Sequence, residues 1–279
     1  MILQPRTAEV GLVPRRSCLI VTTPRTGSWL LAEALHTTGL VGEPQEYFGW
    51  EAFASWSREF GLTTSDSHLR FVEKVLAYGT AENGIFSAKM HWSQLERFVA
   101  RVRANPGSWP ESPAAVLRMF FPDLHCVHLS RLDTARQAIS YWRADQAQEW
   151  WDFEGSKREM MELDVDFQQI RWREDLLVRQ DRNWRDLLEL DEIPTLEVEY
   201  EVLVGHLART VEAVLDFLEV SHGRMMLPPS RIRPQADEQT EEWLTVYRVI
   251  RDDLLELPAS WRWSGRTIVP DQDASNAAG

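Results

Sequence analysis

The chain has 279 residues, with 30 Lys and Arg against 43 Asp and Glu, a formal net charge of −13 at neutral pH, and 44% hydrophobic residues. That composition is globular and excludes a disordered chain. A balance this acidic also excludes the broadly basic surface that general binding to nucleic acid or anionic membranes requires, so any polyanion must be held in a local basic pocket.

In chain order, residues 1–16 read as an N-terminal arm without the continuous apolar core of a signal peptide, and 265–279 as a C-terminal tail. No apolar run reaches the roughly 18 residues of a membrane span, so the expectation is a cytoplasmic protein. Residues 17–264 read as a single domain. The runs SCLIVTT (17–23), GIFSAKM (84–90), DLHCVHLS (123–130) and PTLEVEY (194–200) predict strands. Helical periodicity fills 28–38, 67–81, 91–104, 132–151, 158–190, 202–220 and 238–256. Strands alternating with helices predict an α/β fold, a parallel central sheet flanked by helices. Cys18 and Cys126 sit in apolar runs and read as buried thiols, neither a metal cluster nor a disulfide framework. Trp142, Trp172, Trp184 and Trp243 fall in helical stretches, where core packing is the expectation.

The run CLIVTT-PRTGS-WLLAEALHTTG predicts a strand, a tight loop and a helix, with Ser28 as N-cap. The free N–H groups and dipole of that helix start, with the Arg25 guanidinium, would converge on one anion. The nucleoside-triphosphate version of such a loop needs G-x-x-x-x-G-K-[ST], and neither that spacing nor the lysine is present. Arg131 follows the third predicted strand, at the same sheet edge if the strands are parallel, where ligands of open α/β sheets collect. On the next helix Arg136, Ser140 and Arg143 share one face, either a second phosphate site or a solvated stripe. Arg15 and Arg16 precede the first strand and fall at the opposite edge.

Taken together, TPRTGSWLLAEAL, GLVGEPQEYF, KMHW, LSRLDTARQAISYWRA and PQADEQTEEWLTVYR, in that order between about residues 18 and 248, resemble the trehalose 2-sulfotransferase family of actinobacteria. GEPQE and R-x-D-x-x-x-Q-A-x-S-[YF]-W-R-A are the specific stretches. The resemblance implies a P-loop-like sulfotransferase fold with helical insertions, and a homodimer is a possible assembly. It implies transfer of the sulfuryl group of 3′-phosphoadenosine 5′-phosphosulfate (PAPS) to a sugar hydroxyl, leaving PAP, without a metal; the acceptor is expected to be a carbohydrate or a secondary metabolite. Carried over, it puts Arg25, Thr26, Gly27, Ser28 and Trp29 at the 5′-phosphosulfate, Arg131 and Ser140 at the 3′-phosphate, and Glu46 at the position of the catalytic base. Trp29 departs from the pattern, because relatives carry a small hydroxyl residue there.

Sulfuryl transfer is an in-line displacement dominated by positioning and charge stabilisation, with a general base for the attacking hydroxyl. His91 is the rival base, since animal sulfotransferases place a catalytic histidine in a similar K-x-H context, and Lys89 would steady the sulfuryl oxygens. The basic run 224–236 places Arg224, Arg231 and Arg233 where sulfotransferases often close a loop on the 3′-phosphate. A P-loop kinase and a non-catalytic nucleotide-binding protein on the same fold remain the alternatives. Residues 47–66 and 145–175, rich in aromatics and acids, are candidates for an acceptor pocket or a dimer contact.

Overall fold

The computed structural model describes residues 13–63, 66–148, 165–232, 238–252, 261–263 and 268–270. Its elements run β1 (Arg16–Thr22), α1 (Ser28–Thr38), β2 (Gln45–Glu46), α2 (Trp50–Glu59), α3 (His68–Gly79), β3 (Ile85–His91), α4 (Trp92–Arg103), α5 (Pro113–Phe120), β4 (Leu124–Ser130), α6 (Thr134–Ala147), α7 (Phe167–Leu190), β5 (Thr195–Glu199), α8 (Tyr200–Gly205), α9 (Leu207–Phe217), α10 (Glu238–Ile250), β6 (Trp261–Trp263) and β7 (Ile268–Pro270). The chain divides into two compact units, residues 1–132 with 180–230 and residues 133–179 with 231–279.

The first unit is built on a five-stranded sheet in the order β2-β3-β1-β4-β5, with every pair parallel. The expected α/β fold with a parallel central sheet is therefore observed. Because all five strands point one way, the ends of β1, β2, β3, β4 and β5 share one edge, and the site residues of this unit gather there. Alternation along β1 divides the core. Leu19 and Val21 join the cluster of Tyr47, Phe48, Phe71, Phe98 and Trp184, whereas Cys18 and Ile20 face Leu31, Leu35, Val211 and Val214 on α1 and α9. Burial on both faces explains the almost wholly apolar run that marks β1 in the sequence.

Both cysteines are fully buried and free; burial pushes the Cys18 thiol up to about 12, which removes thiolate chemistry. Arg16 at the start of β1 is fixed by Asp123 at 2.5 Å, far from the carboxyl edge. The expected helix over 202–220 is two helices broken at His206, and α2, α5 and the two-residue β2 were not anticipated. Of the aromatics in 47–66, Tyr47, Phe48 and Trp56 are buried in the core and Phe53 and Phe60 pack on them. Residues 149–164, within the other stretch considered for the acceptor, lie outside the described residues.

The second unit packs α6 and α10 around Ala138, Ile139, Trp142, Trp243, Leu244 and Tyr247. Trp142 meets Trp243 edge to face at 5.5 Å. Trp142, Trp184 and Trp243 are thus core residues, but Trp172 is 55% exposed and is not. Among the described residues no helix is long and apolar enough to cross a membrane.

One buried polar cluster ties the first unit together. His128 on β4 is completely buried; its Nδ1 meets Glu197 Oε2 at 2.7 Å and its Nε2 meets Asp181 Oδ1 at 3.0 Å. Arg185 Nε holds the other oxygen of Asp181 at 2.9 Å. Burial disfavours the imidazolium, yet the two carboxylates outweigh it and the His128 pKa is raised. The raised value means that this stabilisation is complete below the unfolded pKa of about 6.5 and is lost as pH rises through the folded value. The melting-temperature gap between the wild type and His128→Gln should therefore be wide at pH 6 and narrow above pH 8, by calorimetry; a gap independent of pH would contradict the clamp.

Candidate functional site

The loop after β1 turns through two left-handed residues, Arg25 (φ 70°) and Gly27 (φ 75°). Left-handed backbone favours glycine, and at Gly27 a Cβ would also sit 2.8 Å from the Tyr200 ring. The buried Thr22 and Thr26 hydroxyls meet at 2.6 Å; the Thr22 hydroxyl is 2.6 Å from the Leu129 carbonyl, and the Trp184 indole donates to the Thr22 carbonyl at 3.0 Å. The loop is thus fastened to the end of β1, which is itself tied to β4 and α7. Gly27, not Ser28, is the N-cap of α1. Ser28 is the first helical residue, and this frees its hydroxyl for a different partner.

That partner is Lys89. On β3 it alternates with Ala88 and Met90 of the opposite core face and so points to the α1 side. Its ammonium donates to Ser28 Oγ at 3.2 Å and lies 4.1 Å from the centre of the Trp29 ring. In the β2–β3 register Lys89 stands directly opposite Glu46, and the two side chains form an ion pair. Lys89 is 1% exposed, whereas the Glu46 side chain keeps 24% exposure. His91 Nε2 also reaches Glu46 Oε1, at 3.3 Å. Gln94 donates to Glu46 Oε2 at 3.1 Å, while its own carbonyl accepts from the His91 backbone N–H at 3.1 Å.

The electrostatics follow from this packing. Burial alone would raise the Glu46 pKa, but the charges and hydrogen bonds of Lys89 and His91 pull the carboxyl well below the usual carboxylate range. Burial pulls Lys89 below its ordinary value; Glu46 opposes that shift and Arg25 adds to it. Glu46 is therefore held as the carboxylate at neutral pH.

Arg131 also belongs to this edge. Its guanidinium donates to the Arg25 carbonyl at 3.0 Å and stacks over the Tyr200 ring at 4.2 Å. The structure thus brings Arg25, Thr26, Gly27, Ser28, Trp29, Glu46, Lys89, His91 and Arg131 together in the first unit. Glu46 is on the edge strand β2 and not in a loop. Ser140 is half-buried on α6, in the second unit. Arg231 is exposed in the same unit, and Arg233 lies outside the described residues.

The Arg136/Arg143 face of α6 is not a solvated stripe. Arg136 pairs with Asp133 and Glu241, and Arg143 donates to Thr240, so the face packs on α10. Sequence reading missed Gln94 and Tyr200. Gln94 sits three residues after the cap His91, a capping spacing that could have found it. Tyr200 directly follows a strand at the carboxyl edge but carried no pattern of its own.

A cationic cradle of this make-up fits a phosphosulfate. Two left-handed residues turn the loop, a helix N-terminus opens behind it, and Arg25, Lys89 and Arg131 supply charge in an otherwise acidic chain. The model of a family described as Stf0 sulphotransferase matches residues 17–250. Trehalose 2-sulfotransferase of Mycobacterium tuberculosis is 28% identical over 258 residues, covering 84% of this chain and 94% of the relative. Its namesake from Mycolicibacterium smegmatis is 27% identical over 254 residues, covering 82% and 93%. A solved sulfotransferase from Alicyclobacillus acidocaldarius is 14% identical with a TM-score of 0.47, covering 88% of this chain and 95% of that one.

Gly27→Ala should lose about 1–2 kcal/mol of stability, because it combines a left-handed backbone with a clash against Tyr200. Denaturant unfolding checks this; an unchanged midpoint would mean that the loop does not hold the shape described.

Proposed function

The chain belongs to the Stf0 sulphotransferase family, and from that premise we propose that it moves the sulfuryl group of PAPS to a hydroxyl of a carbohydrate, with Glu46 as general base. The observation that carries the reading is the buried Lys89–Glu46 pair beside Ser28, at the head of the phosphate-binding helix. A carbohydrate acceptor is inferred from the mycobacterial relatives named for trehalose.

Arg25, the loop amides and Ser28 would hold the 5′ end of the donor, and Arg131 the 3′-phosphate. When bound, the donor supplies the sulfuryl group and a phosphate leaving group. Lys89 and Arg25 stabilise negative charge as the bond from sulfur to the leaving phosphate oxygen breaks. The acceptor oxygen forms the new bond to sulfur, and its proton passes to Glu46. In a loose transition state this proton leaves late, so a carboxylate need only be positioned and ionised. Glu46 is both: Gln94 and His91 hold it, and its lowered pKa keeps it charged. Sharing Lys89 with the anionic sulfuryl oxygens would weaken the pull on Glu46 and make it a better base. His91 then serves to orient Glu46 rather than to replace it.

Glu46→Gln should reduce sulfated product by at least about 1000-fold while PAP binding by calorimetry changes less than about 3-fold. Retained turnover in this variant, with loss in His91→Ala, would move the base to His91. PAP should also bind at least about 10-fold more tightly than ADP, and Arg131→Ala should erase that difference. Equal affinity of the wild type for PAP and ADP would sink the 3′-phosphate assignment.

A further inference from the structure

Trp29 breaks the expected pattern of the phosphate loop, and its surroundings suggest why the change is tolerated. A lysine ammonium has three N–H donors. At Lys89 one neighbour is the Glu46 carboxylate and another is the Ser28 hydroxyl at 3.2 Å. The third is the face of the Trp29 ring, with the nitrogen 4.1 Å from its centre. Within about 6 Å the negative face of an indole attracts a cation, most strongly where water is excluded, and Lys89 is 1% exposed. A small hydroxyl side chain at position 29 has no such face.

We propose that Trp29 is a positioning residue for Lys89, whose ring fixes the ammonium where β2, β3 and the start of α1 meet. This rests on the reading of Lys89 as the cation that steadies the transferring sulfuryl oxygens, but the contact itself does not depend on that reading. Without the ring, the ammonium keeps Glu46 and Ser28 but loses its third support. Its charged form is then less favoured in a buried setting, and its orientation is less defined. Trp29 also packs against the core formed by α1 and α9. The alternative is therefore a purely space-filling role, which any apolar side chain of similar bulk would satisfy.

The chain's lysines are Lys74, Lys89 and Lys157, so the full-length protein labelled with [ε-13C]lysine gives a simple spectrum, and Lys89→Met assigns the buried residue. The ring should shift the Lys89 ε-methylene protons upfield, and Trp29→Leu should return them to the range of the other lysines. In the same variant the Lys89 titration midpoint should fall by about half a unit to one and a half units, the cation–π stabilisation converted at 1.36 kcal/mol per unit. Trp29→Phe, which keeps an aromatic face with a weaker quadrupole, should be intermediate in both. For transfer from PAPS, Trp29→Leu should lower kcat about 10-fold with PAP affinity within about 3-fold. Unchanged Lys89 resonances and midpoint in Trp29→Leu, or in Trp29→Phe should the leucine variant not fold, would overturn the proposal. A wild type that shows the lysine contact but transfers no sulfuryl group would overturn the functional reading and leave the positioning role standing.

Discussion

A lysine that is 1% exposed cannot stay charged unless a counter-charge and hydrogen-bond acceptors are built around it. In this molecule that requirement joins three elements distant in sequence. Glu46 arrives on the edge strand β2, in register with Lys89 on β3, and Ser28 arrives at the first turn of α1. Removing any one leaves a buried charge or donor without its partner. The sheet order follows the same logic: β1 between β3 and β4 sets the loop after β1 between Lys89 on one side and Arg131 on the other.

The charge distribution gains meaning from this arrangement. The chain as a whole carries −13, yet Arg25, Lys89 and Arg131 concentrate positive charge at the carboxyl edge of the sheet. Lys89 feels Arg25 strongly enough for its pKa to fall further. Such local repulsion is costly unless an anion relieves it. Arg136, which looked equally available in the sequence, has different work, being held by Asp133 and Glu241; Arg16, at the opposite edge, is held by Asp123.

Much of this was legible in the residues. The strands β1 and β4 announce themselves because burial on both faces demands nearly continuous apolar runs, and the loop from Pro24 to Ser28 reads directly as a strand-to-helix turn. Glu46 and Lys89 could both be singled out from the sequence as candidates. Their pairing could not, because β2 is only Gln45 and Glu46, and two residues inside Gly-Glu-Pro-Gln-Glu carry no strand periodicity. The role of Ser28 was misread for a related reason. A serine before an apolar helix looks like a cap, but the left-handed Gly27 takes that place and releases the hydroxyl to Lys89. Tyr200 and the Trp29–Lys89 contact depend on long-range packing that no local pattern encodes. Tyr47, Phe48 and Trp56 show the converse: aromatics whose composition suits binding a sugar are buried in a core.

The central claim is that Lys89 and Glu46 act as one unit in the transfer step. A double-mutant cycle on kcat for sulfuryl transfer from PAPS, comparing Lys89→Met, Glu46→Gln and the double variant with donor loading checked in each, tests it most directly. If the two residues form one unit, the double variant should lose no more activity than the worse single variant. Losses that multiply would contradict the account, because independent contributions cannot come from a pair whose function depends on its coupling.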